Sequence, residues 1–338
     1  MTSKTKKNKT LKNILTITIS LVIAVFFMNL AFKGTDFKSI KEAFLRANYW
    51  WILAAAFFGL LAYVFRAIRW NLLLEPLGYR ITNQNALWSI SFGYLMNLTV
   101  PRSGELARAT ALYGVEKVPV NQSFGTIILE RIVDLLCMFL FLGLTLILKY
   151  DAILAFYQQS NVKINSVTII GVISVLILGI FLFFRFKDYF SQFAILKKII
   201  DFIDGIFSGI TSIFKLKQNG KFILLSLLIW ISYYFAAYLV CFALPETSSF
   251  SFADGFFIIV AGTLGMIVPA SGGAGSFHFA LKLGIGALFL SMGKSFDEGA
   301  EIGLAYAFLS HTMQLVIMII MGLISIPILV RERNKKAD

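Results

Sequence analysis

Long apolar segments constrain the fold of this chain more than any other feature. Residues 13–32, 120–148, 222–244 and 300–329 are mostly apolar, and the hydrocarbon core of a bilayer requires roughly 20 apolar residues per helix. The chain is 58% hydrophobic and 14% charged, whereas a soluble domain typically carries about 25% charged residues. The sequence therefore predicts an integral membrane protein.

Six segments are predicted to cross the membrane as helices. Besides the four above, one begins at the aromatic entry Tyr49 and another covers residues 164–184. Lysine and arginine cluster at both chain ends, and such an excess marks the cytoplasmic side. We therefore expect an all-α polytopic protein of the cytoplasmic (plasma) membrane, with both termini in the cytoplasm.

Charge and cysteine content exclude several classes of function. The formal net charge is +13, but the basic residues lie between and beyond the apolar segments, where they favour anionic lipid rather than nucleic acid as partner. Cys137 and Cys241 both fall inside apolar segments, so no disulfide is expected. Two histidines without a Cys/His cluster predict no metal site, and no motif for ATP or another cofactor is present.

A polar stretch interrupts the apolar pattern at residues 93–108. It holds Pro101, Arg102 and Glu105 close together, although proline breaks a helix and a charge in the bilayer must face protein or water. Broken backbone at membrane depth is tolerated where it is buried in protein or lines a cavity. We therefore predict a re-entrant hairpin near residues 85–113.

The core of this stretch recurs downstream and divides the chain into two repeats. Residues 100–104 (VPRSG) are matched by residues 268–272 (VPASG), which predicts a second re-entrant hairpin near residues 253–290. Each half reads as span, surface helix, span, hairpin and span, so three crossings per half make the second copy inverted. The predicted parts are a basic tail (1–12), the first repeat (13–148), a linker (149–163), the second repeat (164–329) and a C-terminal tail (330–338), with surface helices at 36–46 and 185–221.

The two hairpin turns are predicted to form one headgroup site. Ser103 and Ser271 follow the prolines as candidate N-caps of the returning helices, and helix N-termini favour anions. The alternative is that the hairpins only pack the bundle, with glycines allowing close approach. The residues expected at a substrate site are Arg66, Arg69, Asn97, Arg102, Ser103, Gly104, Ser271, Gly272, Gly273 and His278.

Charged residues inside apolar segments allow two interpretations. Arg66 and Arg69 share one helical face, and they either reach the interface or point inward. Arg102 adjoins the predicted break, and its guanidinium suits phosphate. Structural ion pairs are expected among Glu105, Arg108, Glu130, Arg131 and Asp134, with Glu105–Arg131 or Asp134–Arg102 holding the first hairpin.

Four motifs in this order resemble the lysylphosphatidylglycerol synthase transmembrane (flippase-like) family. They are Arg66-Ala-Ile-Arg69-Trp70, the stretch from Asn97 to Arg108, Glu130-Arg131-Ile-Val-Asp134 and the stretch from Pro269 to Gly275. The resemblance implies a lipid-handling membrane domain with two re-entrant hairpins. Full-length members continue into a soluble aminoacyl-transferase domain that this sequence lacks, so lipid synthesis is not expected. Where the family often has an acidic residue, this chain has His278.

We therefore predict a flippase-like membrane lipid transporter and not an enzyme. It would bind a phospholipid or polyprenyl-phosphate headgroup between the two hairpins and move it between leaflets. Two alternatives remain open: a membrane-embedded headgroup transferase, with Glu105 and either Glu130 or Asp134 as acid and base, or a non-catalytic partner of a separate lipid-modifying enzyme.

Overall fold

Eleven α-helices and no strand make up the part of the chain that the structure describes. The computed structural model describes residues 3–100, 103–159 and 216–335, with a few isolated residues between 177 and 214. In chain order the helices are α1 (Ser3–Phe32), α2 (Phe37–Arg46), α3 (Tyr49–Leu74), α4 (Asn83–Thr99), α5 (Gly104–Glu116), α6 (Val120–Leu148), α7 (Tyr150–Gln159), α8 (Asn219–Cys241), α9 (Phe252–Ile267), α10 (Ser276–Ser291) and α11 (Phe296–Lys335). The predicted all-α polytopic membrane fold is confirmed.

Six helical segments in the described residues are long and apolar enough to cross a membrane. Five of them, α1, α3, α6, α8 and α11, correspond to predicted crossings. The sixth, Ser271–Ser291, contains α10 and was predicted as the returning arm of a hairpin. The predicted crossing at 164–184 and most of the predicted surface helix at 185–221 lie outside the described residues.

The short surface helix predicted before α3 is present as α2. The Asp36 side chain accepts a hydrogen bond from the Lys38 backbone N–H at 2.9 Å, which caps the helix start. At the other end of α2, Arg46 pairs with Glu246 at 2.8 Å. The backbone N–H of Asn48 also donates to the carbonyl of Ala243 at 2.8 Å. The start of α3 and the end of α8 therefore lie at the same end of the bundle.

The second helical hairpin, α9–α10, has its base at this same end. Lys149, which follows α6, pairs with Asp254 in the first turn of α9 at 2.8 Å. Burial disfavours the ammonium of Lys149, but the hydrogen bond to Asp254 and its charge outweigh this effect and raise the pKa of Lys149. Lys282 of α10 donates to the carbonyls of Ala31 and Lys33 at 2.9 and 2.7 Å and so caps the end of α1.

The first helical hairpin, α4–α5, has its base at the opposite end of the bundle. Asn85 near the start of α4 donates to Glu116 at the end of α5 at 2.7 Å. Glu75, which follows the end of α3, accepts a hydrogen bond from Gln218 just before α8. The two hairpins thus point toward each other, and the Ser271 hydroxyl donates to the Leu98 carbonyl at 3.2 Å where their turns meet.

Close backbone contact holds the two arms of the first hairpin together. A Cβ atom at Gly93 would lie 2.7 Å from the carbonyl oxygen of Gly104 and 3.0 Å from Cβ of Arg108. A Cβ atom at Gly104 would collide with the Gly93 carbonyl and with the Asn97 side chain. Small residues at such crossings allow helices to approach closely in membranes.

Replacing Gly93 with alanine is expected to destabilise the hairpin. Gly93→Ala forces α4 and α5 apart and should cost about 1–3 kcal/mol, which a lower thermal unfolding temperature in detergent would reveal. Gly143→Ala is the matched control, because a Cβ there meets no atom of another described element within 4 Å and alanine is the better helix former. Equal unfolding temperatures for the two variants would contradict the packing argument.

Candidate functional site

A buried network of arginines and carboxylates joins α3, α5 and α6. Asp134 accepts hydrogen bonds from Arg66 and Arg69, each at 3.0 Å. Glu130 lies 2.7 Å from Arg108 and 3.6 Å from Arg69. Arg69 is fully buried and the Glu130 side chain is 1% exposed. Arg66 and Arg69 therefore both point inward, and Asp134 bridges them.

Two further hydrogen bonds connect this network to α8. Arg66 donates to the hydroxyl of Tyr233 at 2.9 Å, and Arg69 donates to the hydroxyl of Ser226 at 3.1 Å. Neither Tyr233 nor Ser226 is among the site residues that the sequence predicted. The available signal was a polar side chain within the apolar segment 222–244. Its arginine partner, however, lies more than 150 positions away in the sequence.

The Glu105–Arg131 ion pair lies beside this network and is more open. Nη2 of Arg131 donates to Oε1 of Glu105 at 2.7 Å, and the two side chains are 50% and 26% exposed. This is one of the two pairings that the sequence suggested. The other suggested pairing was Asp134–Arg102. Arg102 lies outside the described residues, and Asp134 pairs with Arg66 and Arg69.

Among the residues that the structure describes, this cluster carries one positive charge in excess. Four arginines face three carboxylates. The members are Arg66, Arg69, Arg108 and Arg131 on the cationic side and Glu105, Glu130 and Asp134 on the anionic side. An uncompensated charge at membrane depth favours a bound counter-ion.

A cavity of about 780 Å³ lies between the two hairpins. Its charged lining residues come from α3, α5 and α6, whereas most of the lining residues of α9, α11 and the second hairpin turn are apolar, apart from Thr263, Ser310 and Gln314. The polar wall contains Tyr63, Arg66, Tyr94, Asn97, Glu105, Arg131, Asp134 and Tyr233, and the apolar wall includes Ile258, Met266, Ile267, Val268, Pro269, Met313 and Ile317. The cavity thus suits a ligand with a charged end and an apolar end.

Asn97, rather than Ser103, caps the returning helix of the first hairpin. Oδ1 of Asn97 accepts a hydrogen bond from the backbone N–H of Gly104 at 2.7 Å. Ser103 occupies the N-cap position, but its hydroxyl donates to the carbonyls of Met96 and Val100 at 3.0 and 2.7 Å. The predicted capping role of Ser103 is therefore wrong, because those carbonyls compete for its hydroxyl.

The returning helix of the second hairpin begins later than predicted. Ser271 starts a short 3₁₀ turn, and α10 begins at Ser276 after Gly275. Gly272, Gly273 and Gly275 have φ values of +59°, +76° and +80°, which residues with a Cβ rarely adopt. The prediction that Ser271 caps this helix is therefore wrong, and its hydroxyl instead contacts the first hairpin.

Both histidines lie behind the second turn and do not line the cavity. Nε2 of His311 donates to the carbonyl of Gly272 at 2.9 Å and supports the turn. His278 packs against His311 and Phe308, with ring centroids 4.9 and 4.3 Å apart. The structure therefore does not bring His278 together with Arg66 and Asn97, whereas Gly272 and Gly273 do reach the cavity.

The fold and the site define a polytopic α-helical membrane protein with a buried arginine–carboxylate network beside an amphipathic cavity. The family model described as "Lysylphosphatidylglycerol synthase TM region" matches residues 14–327. The chain therefore belongs to this family, which confirms the resemblance of its motifs.

A curated relative supports the same assignment. The UPF0104 membrane protein MJ1595 of Methanocaldococcus jannaschii is 29% identical over 135 residues, which cover 38% of this chain. The aligned part spans 39% of the relative's length. No solved structure matches this chain.

Removing the charge of Glu130 is expected to destabilise the bundle strongly. Glu130→Gln leaves Arg69 and Arg108 without their shared carboxylate, and breaking a buried pair costs about 3–5 kcal/mol. Thermal unfolding in detergent measures the loss. Glu42→Gln is the control, because Glu42 makes a surface pair with Lys38 at 4.0 Å that contributes at most about 1 kcal/mol. Similar stability of the two variants would show that the network is not structurally required.

Proposed function

We propose that this protein moves an anionic lipid, a phospholipid or a polyprenyl phosphate, between the leaflets of the membrane. The observation that carries the proposal is the cavity of about 780 Å³ between the hairpins, which falls within the usual range of about 300–1,000 Å³ for ligand pockets. Arg66 and Arg131 reach it from one side, and aliphatic side chains of α9 and α11 from the other.

The division of the cavity wall matches the two ends of a lipid. Guanidinium groups form charge-assisted hydrogen bonds with phosphate, and the excess positive charge of the cluster suits an anionic headgroup. Met266, Ile267 and Ile317 form an apolar surface on which a hydrocarbon chain can lie. A soluble anion would contact only the guanidinium groups and would leave the apolar surface exposed to water.

The opposed helical hairpins support a transport role. In the proposal both are re-entrant, so that their turns meet near the bilayer midplane. Helices interrupted at that depth, entering from opposite sides, are a recurrent architecture of transporters. The contact from Ser271 to Leu98 joins the two turns beside the cavity, where a headgroup would have to pass.

The state of the carboxylates favours transport over headgroup transfer. Glu105 and Asp134, the acidic residues named in the cavity wall, each pair with arginine at 3.0 Å or less. A general acid or base must exchange a proton with the substrate, whereas both of these carboxylates are already engaged by guanidinium groups. The family name also refers to a phospholipid, which supports a lipid as the ligand.

Transport is tested with fluorescent lipid in proteoliposomes. Arg66→Gln removes a guanidinium from the cavity wall and should slow translocation of fluorescent phosphatidylglycerol by about tenfold or more, since a hydrogen bond to a charged group contributes about 1.5–3 kcal/mol. Arg66→Lys keeps the charge but loses the planar, bidentate guanidinium, so its translocation rate should lie between those of wild type and Arg66→Gln.

The matched control for this assay is Arg80→Gln. The Arg80 side chain is 88% exposed and lies 3.7 Å from Glu75, so its loss should leave translocation unchanged. Thermal unfolding of each variant separates transport loss from misfolding. Wild-type vesicles that move no tested lipid faster than empty vesicles would refute the proposed function.

Arg102 adjoins the first hairpin turn in sequence, outside the described residues, and belongs to the proposal by its position. A guanidinium next to Ser103 would meet a headgroup that passes between the hairpins. Arg102→Gln is therefore expected to reduce translocation without changing the unfolding temperature of the bundle. Unchanged translocation would remove Arg102 from the headgroup site.

A further inference from the structure

The Glu105–Arg131 pair differs from the rest of the charge cluster in how it is held. Arg69 and the carboxylate of Glu130 are closed off from the cavity by protein, whereas Glu105 and Arg131 both line it. Their 2.7 Å contact connects one nitrogen to one oxygen, and half of the Arg131 side chain is exposed. An ion pair of this kind is weak, at about 0.2–1 kcal/mol, and can exchange partners.

A narrow recess of about 10 Å³, with room for no more than a water molecule, lies behind this pair and reaches Arg108. Glu105 and Arg131 line this recess as well as the main cavity, and Gly93 and Gly104 form its back wall together with the Arg108 side chain. Glu105 therefore stands between the cavity and a second, buried guanidinium.

Arg108 has donor groups that no described residue uses. Its Nη1 contacts Glu130 at 2.7 Å, and its guanidinium carbon lies 3.6 Å from the ring centroid of Trp70. Its Nε and Nη2 are buried and make no hydrogen bond to any residue that the structure describes. Because an unpaired buried N–H costs free energy, these groups favour an acceptor that enters the recess.

We propose that Glu105 is an internal anion that occupies the phosphate position of the resting protein. The phosphate of an anionic lipid displaces Glu105 from Arg131 at the wall of the main cavity and accepts hydrogen bonds from Arg131. This inference rests on the proposed lipid transport and specifies where the phosphate binds. Glu105 lowers lipid affinity by competition, so the headgroup is held firmly enough to enter and weakly enough to leave.

The experiment measures ligand binding to purified protein in detergent by isothermal titration calorimetry. The probes are dihexanoyl phosphatidylglycerol, dihexanoyl phosphatidylcholine and glycerophosphoglycerol, which separate an anionic lipid from a zwitterionic lipid and from the same phosphodiester headgroup without acyl chains. The proteins are wild type, Glu105→Gln, Arg131→Gln, the double variant and the control Glu42→Gln.

Removing the competing carboxylate should tighten the binding of the anionic lipid. We expect Glu105→Gln to bind phosphatidylglycerol about two- to fivefold more tightly, which corresponds to the strength of a partly exposed ion pair. Arg131→Gln should bind it about tenfold more weakly. In the Arg131→Gln background the Glu105 substitution should have little further effect, because the shared partner is gone. Glu42→Gln should match wild type.

Several outcomes would overturn the inference. Unchanged or weaker phosphatidylglycerol binding by Glu105→Gln, with wild type binding normally, refutes the competition and leaves the proposed transport standing. Equal binding of glycerophosphoglycerol refutes a lipid as the ligand. Wild-type protein that binds none of the probes refutes the inference, and transport is then judged by the vesicle assay. Glu105→Ala, compared at matched unfolding temperature, replaces Glu105→Gln if that variant misfolds, and the same tightening is expected.

Discussion

The buried ion network determines how the first half of this protein assembles. Arginine cannot lose its charge, and at membrane depth an unpaired guanidinium is costly. Arg66 and Arg69 of α3 therefore require the carboxylates of α6, and Arg108 of α5 requires Glu130 on the same helix. These pairings fix the returning arm of the first hairpin against α3 and α6. Removing one partner leaves the others charged and buried, so the network holds its members in a single arrangement.

The same constraint places a polar wall beside the second hairpin. Once Asp134 bridges Arg66 and Arg69, Arg66 and Asp134 line the cavity. The second hairpin brings no charge there: its turn offers backbone groups of Gly272 and Gly273 and apolar side chains. In the proposed function, hydrocarbon and phosphate would therefore contact different parts of the wall. A carrier of amphipathic molecules requires such a separation, and a site for a small soluble anion does not.

The sequence was sufficient for those features that depend on local chemistry. Proline at positions 101 and 269 between apolar runs predicted two broken segments, and helical hairpins occur at both places. The inward direction of Arg66 and Arg69 could not be predicted, because their carboxylate partners lie 61 or more positions away. The caps of the returning helices were mispredicted for a related reason. Asn97 of α4, the preceding arm of the hairpin, accepts the hydrogen bond from the Gly104 N–H. In the second hairpin, three glycines delay the start of α10 until Ser276. Local preferences identified serine, but tertiary contacts selected other residues.

Stability and movement place opposite demands on charges in a membrane. A network tight enough to hold helices together cannot release a partner to a passing headgroup without unfolding. Asp134 is held by Arg66 and Arg69, and Glu130 lies between Arg69 and Arg108 with almost no exposure. Glu105 contacts Arg131 through one hydrogen bond at the edge of the cavity. In the proposed exchange a phosphate takes over that single bond while the inner pairs remain intact, so the exchangeable contact and the permanent ones coexist in one cluster. On this proposal a rigid bundle would bind an anionic headgroup without a large rearrangement of its helices.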